Sequence, residues 1–213
     1  MEVNTRLADM GLREFLELLA SSAPAPGGGS ASAVAGAMGI GLATMAAGLT
    51  VGKPKYAEHD GVMNKIISDS MPLLKEMTDG IDRDTVAFNG VTAVFKMPKS
   101  NDDEKAARKA AMQEALKSAA MVPFELLLNC ENALHILKEG VGRINPNCYS
   151  DLGSGAANLE SAAKGAWLNV LINIGGLSDK NFAEDLRIRG KAAFDSCISI
   201  AEQVFKEVER QIT

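Results

Sequence analysis

Residues 21–56, SSAPAPGGGSASAVAGAMGIGLATMAAGLTVGKPKY, constrain this chain more than any other stretch. Two prolines stiffen the approach, Gly27, Gly28 and Gly29 loosen the turn, and Ser30 stands where a helix N-cap would stand. Residues 31–52 then carry no charge and are built mainly from Ala and Gly, and Lys53, Lys55 and Tyr56 close the run. A helix that begins near Ser30 points its free amide N–H groups into the glycine loop. Such a place suits a negatively charged ligand or a closely approached backbone. The uncharged run is long enough to span a bilayer. Its Ala, Gly, Ser and Thr residues supply little transfer energy, however, and no aromatic belt marks either end. The better reading is a buried central helix without a membrane, in which Gly36, Gly39, Ala43, Ala47 and Gly48 let neighbouring helices come close.

Elsewhere apolar residues recur at helical spacing, and strand signals are nearly absent. Residues 7–20, 31–51, 58–80 (with Pro72 as a kink) and 82–96 read as helices. A run capped by Asp102 and Asp103 ends near Pro123, and residues 124–140, 152–177 and 182–212 complete the series. The expected fold is an all-α bundle of about seven or eight helices, formed by residues 1–213 as one domain around the small-residue helix.

The totals exclude several classes of function. With 22 basic and 27 acidic residues the net charge is −5, which argues against a nucleic-acid partner. Aromatic residues make up 5%, too few for base-stacking platforms. Cys130, Cys148 and Cys197 are scattered and odd in number, as expected of reduced thiols in a cytoplasmic protein. The charged N-terminal stretch lacks a signal-peptide core. His59 and His135 stand alone, with no metal-ligand spacing and no nucleophile-base pattern.

Four constellations remain as candidates for chemistry. The glycine loop is no P-loop, because GxxxxGK[ST] is missing, and it serves either a tight helix contact or an anion. Lys53 and Lys55 are either solvated charges or ligands for carboxylates. Asp82 reads as a cap or a surface residue, whereas Asp84 falls inside an apolar run, where a carboxylate is costly unless it has a partner or a task. Lys99 follows the helix-ending Pro98. Asn145, Asn147, Ser150 and Asp151 form either a turn with an N-cap or a polar cluster able to bond a heterocycle. Asn169 and Asn173, at i and i+4 on an apolar helix, need partners or line a pocket.

Taken together and in this order, these pieces resemble the formiminotetrahydrofolate cyclodeaminase / methenyltetrahydrofolate cyclohydrolase family. Its pattern reads PxPGGGSxxA…G…LTxGKxKY, DxxAFxxVxxAxxxPK, EKAAR, GNxNxxSD and NVxxNxxxLxD. Here these are residues 24–31, 49–56, 84–99, 104–108, 145–151 and 169–179. Where the pattern has Gly before the first Asn of its loop, this chain has Ile144, with Gly142 two positions earlier. The resemblance implies an all-helical homodimer acting on tetrahydrofolate derivatives, without metal or redox cofactor. It implies either hydrolysis of 5,10-methenyltetrahydrofolate to 10-formyltetrahydrofolate or cyclisation of 5-formiminotetrahydrofolate with loss of ammonia. Stand-alone chains of this length resemble the cyclohydrolase.

The methenyl group is an amidinium cation, whose hydration needs a carboxylate base and then an acid. Asp84 and Asp151 are the candidates for those roles, with Lys99 as proton donor or orienting charge. Gly27, Gly28, Gly29, Ser30, Lys53, Lys55 and Tyr56 are candidates for holding the substrate and its glutamate tail, which can be polyglutamylated. Asn145, Asn147, Ser150 and Asn173 are candidates for reading the pterin ring. A helical scaffold that binds folate without turnover is the alternative from another class. Whether Asp84, Asp151 and Asn173 share a cavity separates the two readings.

Overall fold

A computed structural model describes residues 6–213, and every described helix follows the next in a bundle without strands. The helices are α1 (Leu12–Leu19), α2 (Gly28–Gly48), α3 (Asp60–Phe95), α4 (Asp102–Glu139), α5 (Tyr149–Gly175) and α6 (Lys180–Ile212). Short 3-10 helices stand at Leu7–Asp9, Pro54–His59 and Pro146–Cys148. The fold class is the expected one, but the six long helices are fewer than seven or eight. Two expected breaks do not occur: α3 runs unbroken past Pro72, Gly80 and Asp82, and α4 runs unbroken through Pro123. One break was missed, since extended backbone at Met10 and Gly11 separates Leu7–Asp9 from α1.

Pro123 explains why α4 can continue. Proline has no N–H, so Ala119 C=O loses its i+4 donor. The Asn173 side chain of α5 supplies the missing donor, Nδ2 to Ala119 O at 3.0 Å. A hydrogen bond from another helix thus repairs the ladder at the point where sequence alone suggests a stop.

Helix α2 is the hub, packed mainly between α3 and α5 with α4 behind. Length and composition alone would let it cross a membrane, yet one face is buried among its neighbours. The close approach predicted from small residues is realised with α5. A Cβ at Gly39 would stand 2.8 Å from Gly155 O and 2.7 Å from Leu159 Cγ, too near for any side chain. Ala43 and Ala47 are buried in the same seam, whereas Gly48 is exposed and contacts nothing across it. The opposite face of α2 exposes Met38, Met45 and Leu49. A large core joins α2 to all the other α-helices, and a smaller cluster around Phe124, Val170, Ile174 and Leu186 fastens α4, α5 and α6.

The loop after α4 accounts for Ile144. Gly142 takes a left-handed φ of 73°, while Ile144 is buried and touches the α4 end at Gly140. The flexible position and the apolar one are simply offset from the family pattern.

Candidate active site

The N-terminal end of α2 differs from the sequence expectation in an instructive way. Gly27, not Ser30, is the N-cap, and as a glycine it has no side chain with which to cap the helix. Ser30 lies in the first turn, fully buried. Its backbone N–H donates to Asp84 Oδ2 at 2.9 Å. Its Oγ donates to Ile81 O at 2.8 Å and lies 3.2 Å from Asp84 Oδ2. The helix terminus therefore does receive an anion, as helix dipoles favour, but the anion is the protein's own Asp84. Gly29 makes this approach feasible, because a Cβ there would overlap the Asp84 carboxylate.

Asp84 is held in a mixed environment. Burial pushes its pKa above the ordinary carboxylate value, and the two hydrogen bonds from Ser30 oppose the shift. The net direction is upward, which suits a group that must take up a proton near neutral pH.

The carboxylate stands at the wall of a cavity of about 380 Å3. Gly27, Gly28, Gly29, Asp84, Phe88, Asn169 and Asn173 belong to its lining, with Pro24 and Ala25 at one side and Ile172 at another. The volume falls in the range of small-molecule sites. Asn173 Nδ2 is spent on Ala119 O and Asn169 O, and Asn169 Nδ2 on Gly165 O. Asn173 then has its Oδ1 to offer an occupant, and Asn169 its Oδ1 and one remaining Nδ2 N–H. The cavity thus combines a desolvated carboxylate, two amide oxygens and an aromatic ring. That set can pair with N–H donors and a cation, and it can accept a proton from water.

The remaining candidates lie elsewhere. At the far end of α2, about 30 Å away for 21 helical residues, a second polar cluster ties the chain together. Thr50 Oγ1 donates to Ala46 O at 2.7 Å and accepts from Asn145 N at 2.9 Å. Asn145 Oδ1 accepts from Asn147 N at 3.2 Å and from Tyr56 Oη at 3.4 Å. Lys53 and Lys55 are exposed here, and Lys55 Nζ sits 5.4 Å from the centre of the Tyr56 ring. Asp151 stands in the first turn of α5, not at its cap. Burial, and after it the Asp151 charge, raise the Cys148 pKa, while Lys53 lowers it, so both ions sit close to that thiol. Ser150 lines a separate groove with Phe205 and Ile212 of α6. Lys99 is exposed in the turn between α3 and α4, outside the cavity lining.

Asp84 and Asn173 thus share a cavity within one chain, and Asp151 does not join them. Sequence reasoning overlooked Thr50, whose signal was a hydroxyl at the end of a charge-free helix. It offered Asn169 and Asn173 together as pocket-lining amides but counted only Asn173 among the substrate-binding candidates, whereas both line the cavity.

Comparison with known proteins bears on this arrangement. Residues 11–192 match the formiminotransferase-cyclodeaminase family. A methenyltetrahydrofolate cyclohydrolase from Methylorubrum extorquens is 35% identical over 94% of this chain and 97% of its own length. The rat formimidoyltransferase-cyclodeaminase is 34% identical over 86% of this chain, which spans only 34% of that longer protein. The crystal structure of formiminotetrahydrofolate cyclodeaminase from Thermotoga maritima superposes with a TM-score of 0.85 at 27% identity, covering 96% of this chain and 98% of that one. With the match running from α1 into α6 and taking in every residue of the Asp84 cavity, the chain belongs to the formiminotransferase-cyclodeaminase family.

Proposed function

We propose that the protein hydrolyses 5,10-methenyltetrahydrofolate to 10-formyltetrahydrofolate in the Asp84 cavity. The observation that carries this reading is the Asp84 carboxylate, desolvated, fixed by Ser30 and facing a cavity large enough for a pterin. The substrate's amidinium cation pairs with a carboxylate, and the Asn169 and Asn173 Oδ1 atoms accept from pterin N–H groups. Water adds to the methenyl carbon as Asp84 takes one of its protons. Asp84 returns that proton to N5 as the carbon–N5 bond breaks. The carbinol O–H then loses its proton to Asp84, and the carbon remains on N10 as a formyl group. The reading requires no metal and no redox cofactor, and with its three reduced cysteines it suits a cytoplasmic enzyme.

The exposed face of α2 supports a homodimer. Met38, Met45 and Leu49 form an apolar stripe on a helix that carries no charge. An antiparallel pairing of two such faces would bring Lys53 and Lys55 of the partner subunit toward the Asp84 cavity. There they would meet the anionic glutamate tail, including longer polyglutamyl forms. Sedimentation checks the pairing: the protein should run as a dimer and Met45→Glu as a monomer, whereas a monomeric parent chain refutes it.

A cyclodeaminase reaction is the second reading, favoured by the structural match to the Thermotoga maritima enzyme over nearly all of both chains. The methenyl absorbance decides between them. It should fall when the purified protein meets methenyltetrahydrofolate; a rise only with 5-formiminotetrahydrofolate would reverse the assignment.

A further inference from the structure

Asp84 and Gly29 line not one cavity but two. The second is small, about 10 Å3, which is room for a single water. It lies between α3 and α4, bounded by Glu76, Gly80 and Arg83 on one helix and by Val122, Pro123, Leu126 and Asn129 on the other. Arg83 Nε is buried there with no hydrogen-bond partner among the described residues. A buried N–H of a cation without a partner is costly, and a water is the usual remedy. The outer rim is charged and reaches solvent: Arg83 pairs with Glu76 Oε2 at 3.2 Å and with Glu125 Oε2 of α4 at 3.4 Å.

The chemistry of the proposed reaction gives this place a task. Water contributes two protons; one ends on N5, and the other is left on Asp84 while product still fills the large cavity. Discharging Asp84 before product leaves therefore needs a route other than the large cavity. We propose that the small cavity is that route: Asp84 passes its proton to one water held by Arg83 and Asn129, and that water passes a proton to the Glu76 carboxylate, which releases it to solvent. One proton leaves Asp84 and one arrives on Glu76, and the water is unchanged. In the cyclodeaminase direction, which consumes protons, the same path runs inward. The inference rests on Asp84 being the base of the proposed function.

Two substitutions test it. Glu76→Gln removes the outer acceptor and keeps the side-chain shape. Gly80→Ala puts a methyl group in the wall of the small cavity at ordinary contact distances, 3.6 Å from Ala33 Cβ and 3.9 Å from Arg83 Nη2. In dilute buffer both variants should show kcat about tenfold lower with KM unchanged. Added imidazole should restore Glu76→Gln, because a mobile base replaces the missing carboxylate, and should not restore Gly80→Ala. A parent-like kcat in either variant overturns the route. So does a Glu76→Gln defect that imidazole fails to relieve, which would mark a distorted Asp84. A parent protein inactive on both folates would instead refute the function itself.

Discussion

The two ends of α2 carry similar residues and put them to opposite uses. At the C-terminal end Thr50, Tyr56, Asn145 and Asn147 bond to one another and to backbone, so the cluster is a clasp between α2 and the loop before α5. At the N-terminal end Ser30 spends its donors on Ile81 and Asp84 and lies behind the cavity wall, while Asn169 and Asn173 line the cavity and keep their Oδ1 acceptors unspent. Polar residues that satisfy each other hold a fold together; those with lone pairs to spare can serve a ligand. Charge follows the same division. The desolvated carboxylate sits where water is restricted, and the lysines sit where it is not.

The largest effect that would break this comparison comes from Asp84→Asn. It keeps shape and removes the base, so kcat should fall about 10²–10⁴-fold. Near-parent turnover would leave the N-terminal end as one more clasp. Gly29→Ala should come next. The new methyl group overlaps the carboxylate and must displace it, lowering kcat about 10²-fold while circular dichroism stays helical. Thr50→Val attacks the other end. It strands Asn145 N–H in a buried place and should cost about 1–3 kcal/mol in denaturant unfolding, with kcat per folded molecule unchanged. A loss of kcat without loss of stability would move the clasp into the site.

The smallest effect concerns pH. The native pKa of Asp84 lies above its unfolded value, so between the two the native state holds more protons than the unfolded state. Its contribution to stability is therefore full below the unfolded pKa and declines as pH rises through the native one. Asp84→Asn should remove that decline. A pH–stability curve identical to that of the parent would mean that burial of the carboxylate is not felt.

How much of this was legible in the sequence depended on distance along the chain. The buried α2, the helical class and the Asn169–Asn173 pair are written in spacings of a few residues. So was the cost of Asp84 inside an apolar run, although its partner was not. Ser30 and Gly29 meet Asp84 across more than fifty residues, and no local pattern announces that a carboxylate will cap the glycine loop. The helix count failed for the same reason. Pro123 looked like a terminus because its repair, the Asn173 amide, is fifty residues away. The helical rise alone sets the glycine loop and Lys53 at opposite ends of α2. The gathering of Asn145, Asn147 and Asp151 at one end, and of Asp84 at the other, depends on how the later helices run back along α2, which local spacing does not give.

That repaired proline also creates a dependence between two positions that never bond through their own functional groups. Replace Pro123 by alanine, and α4 regains its own donor to Ala119 O, so Asn173 is no longer required there. Replace Asn173 alone, and the carbonyl is stranded. The two substitutions should therefore be strongly non-additive, with the second costing less in the background of the first. Drift at either residue is then conditional on the other, and a lining group of the cavity is anchored by an irregularity in a neighbouring helix.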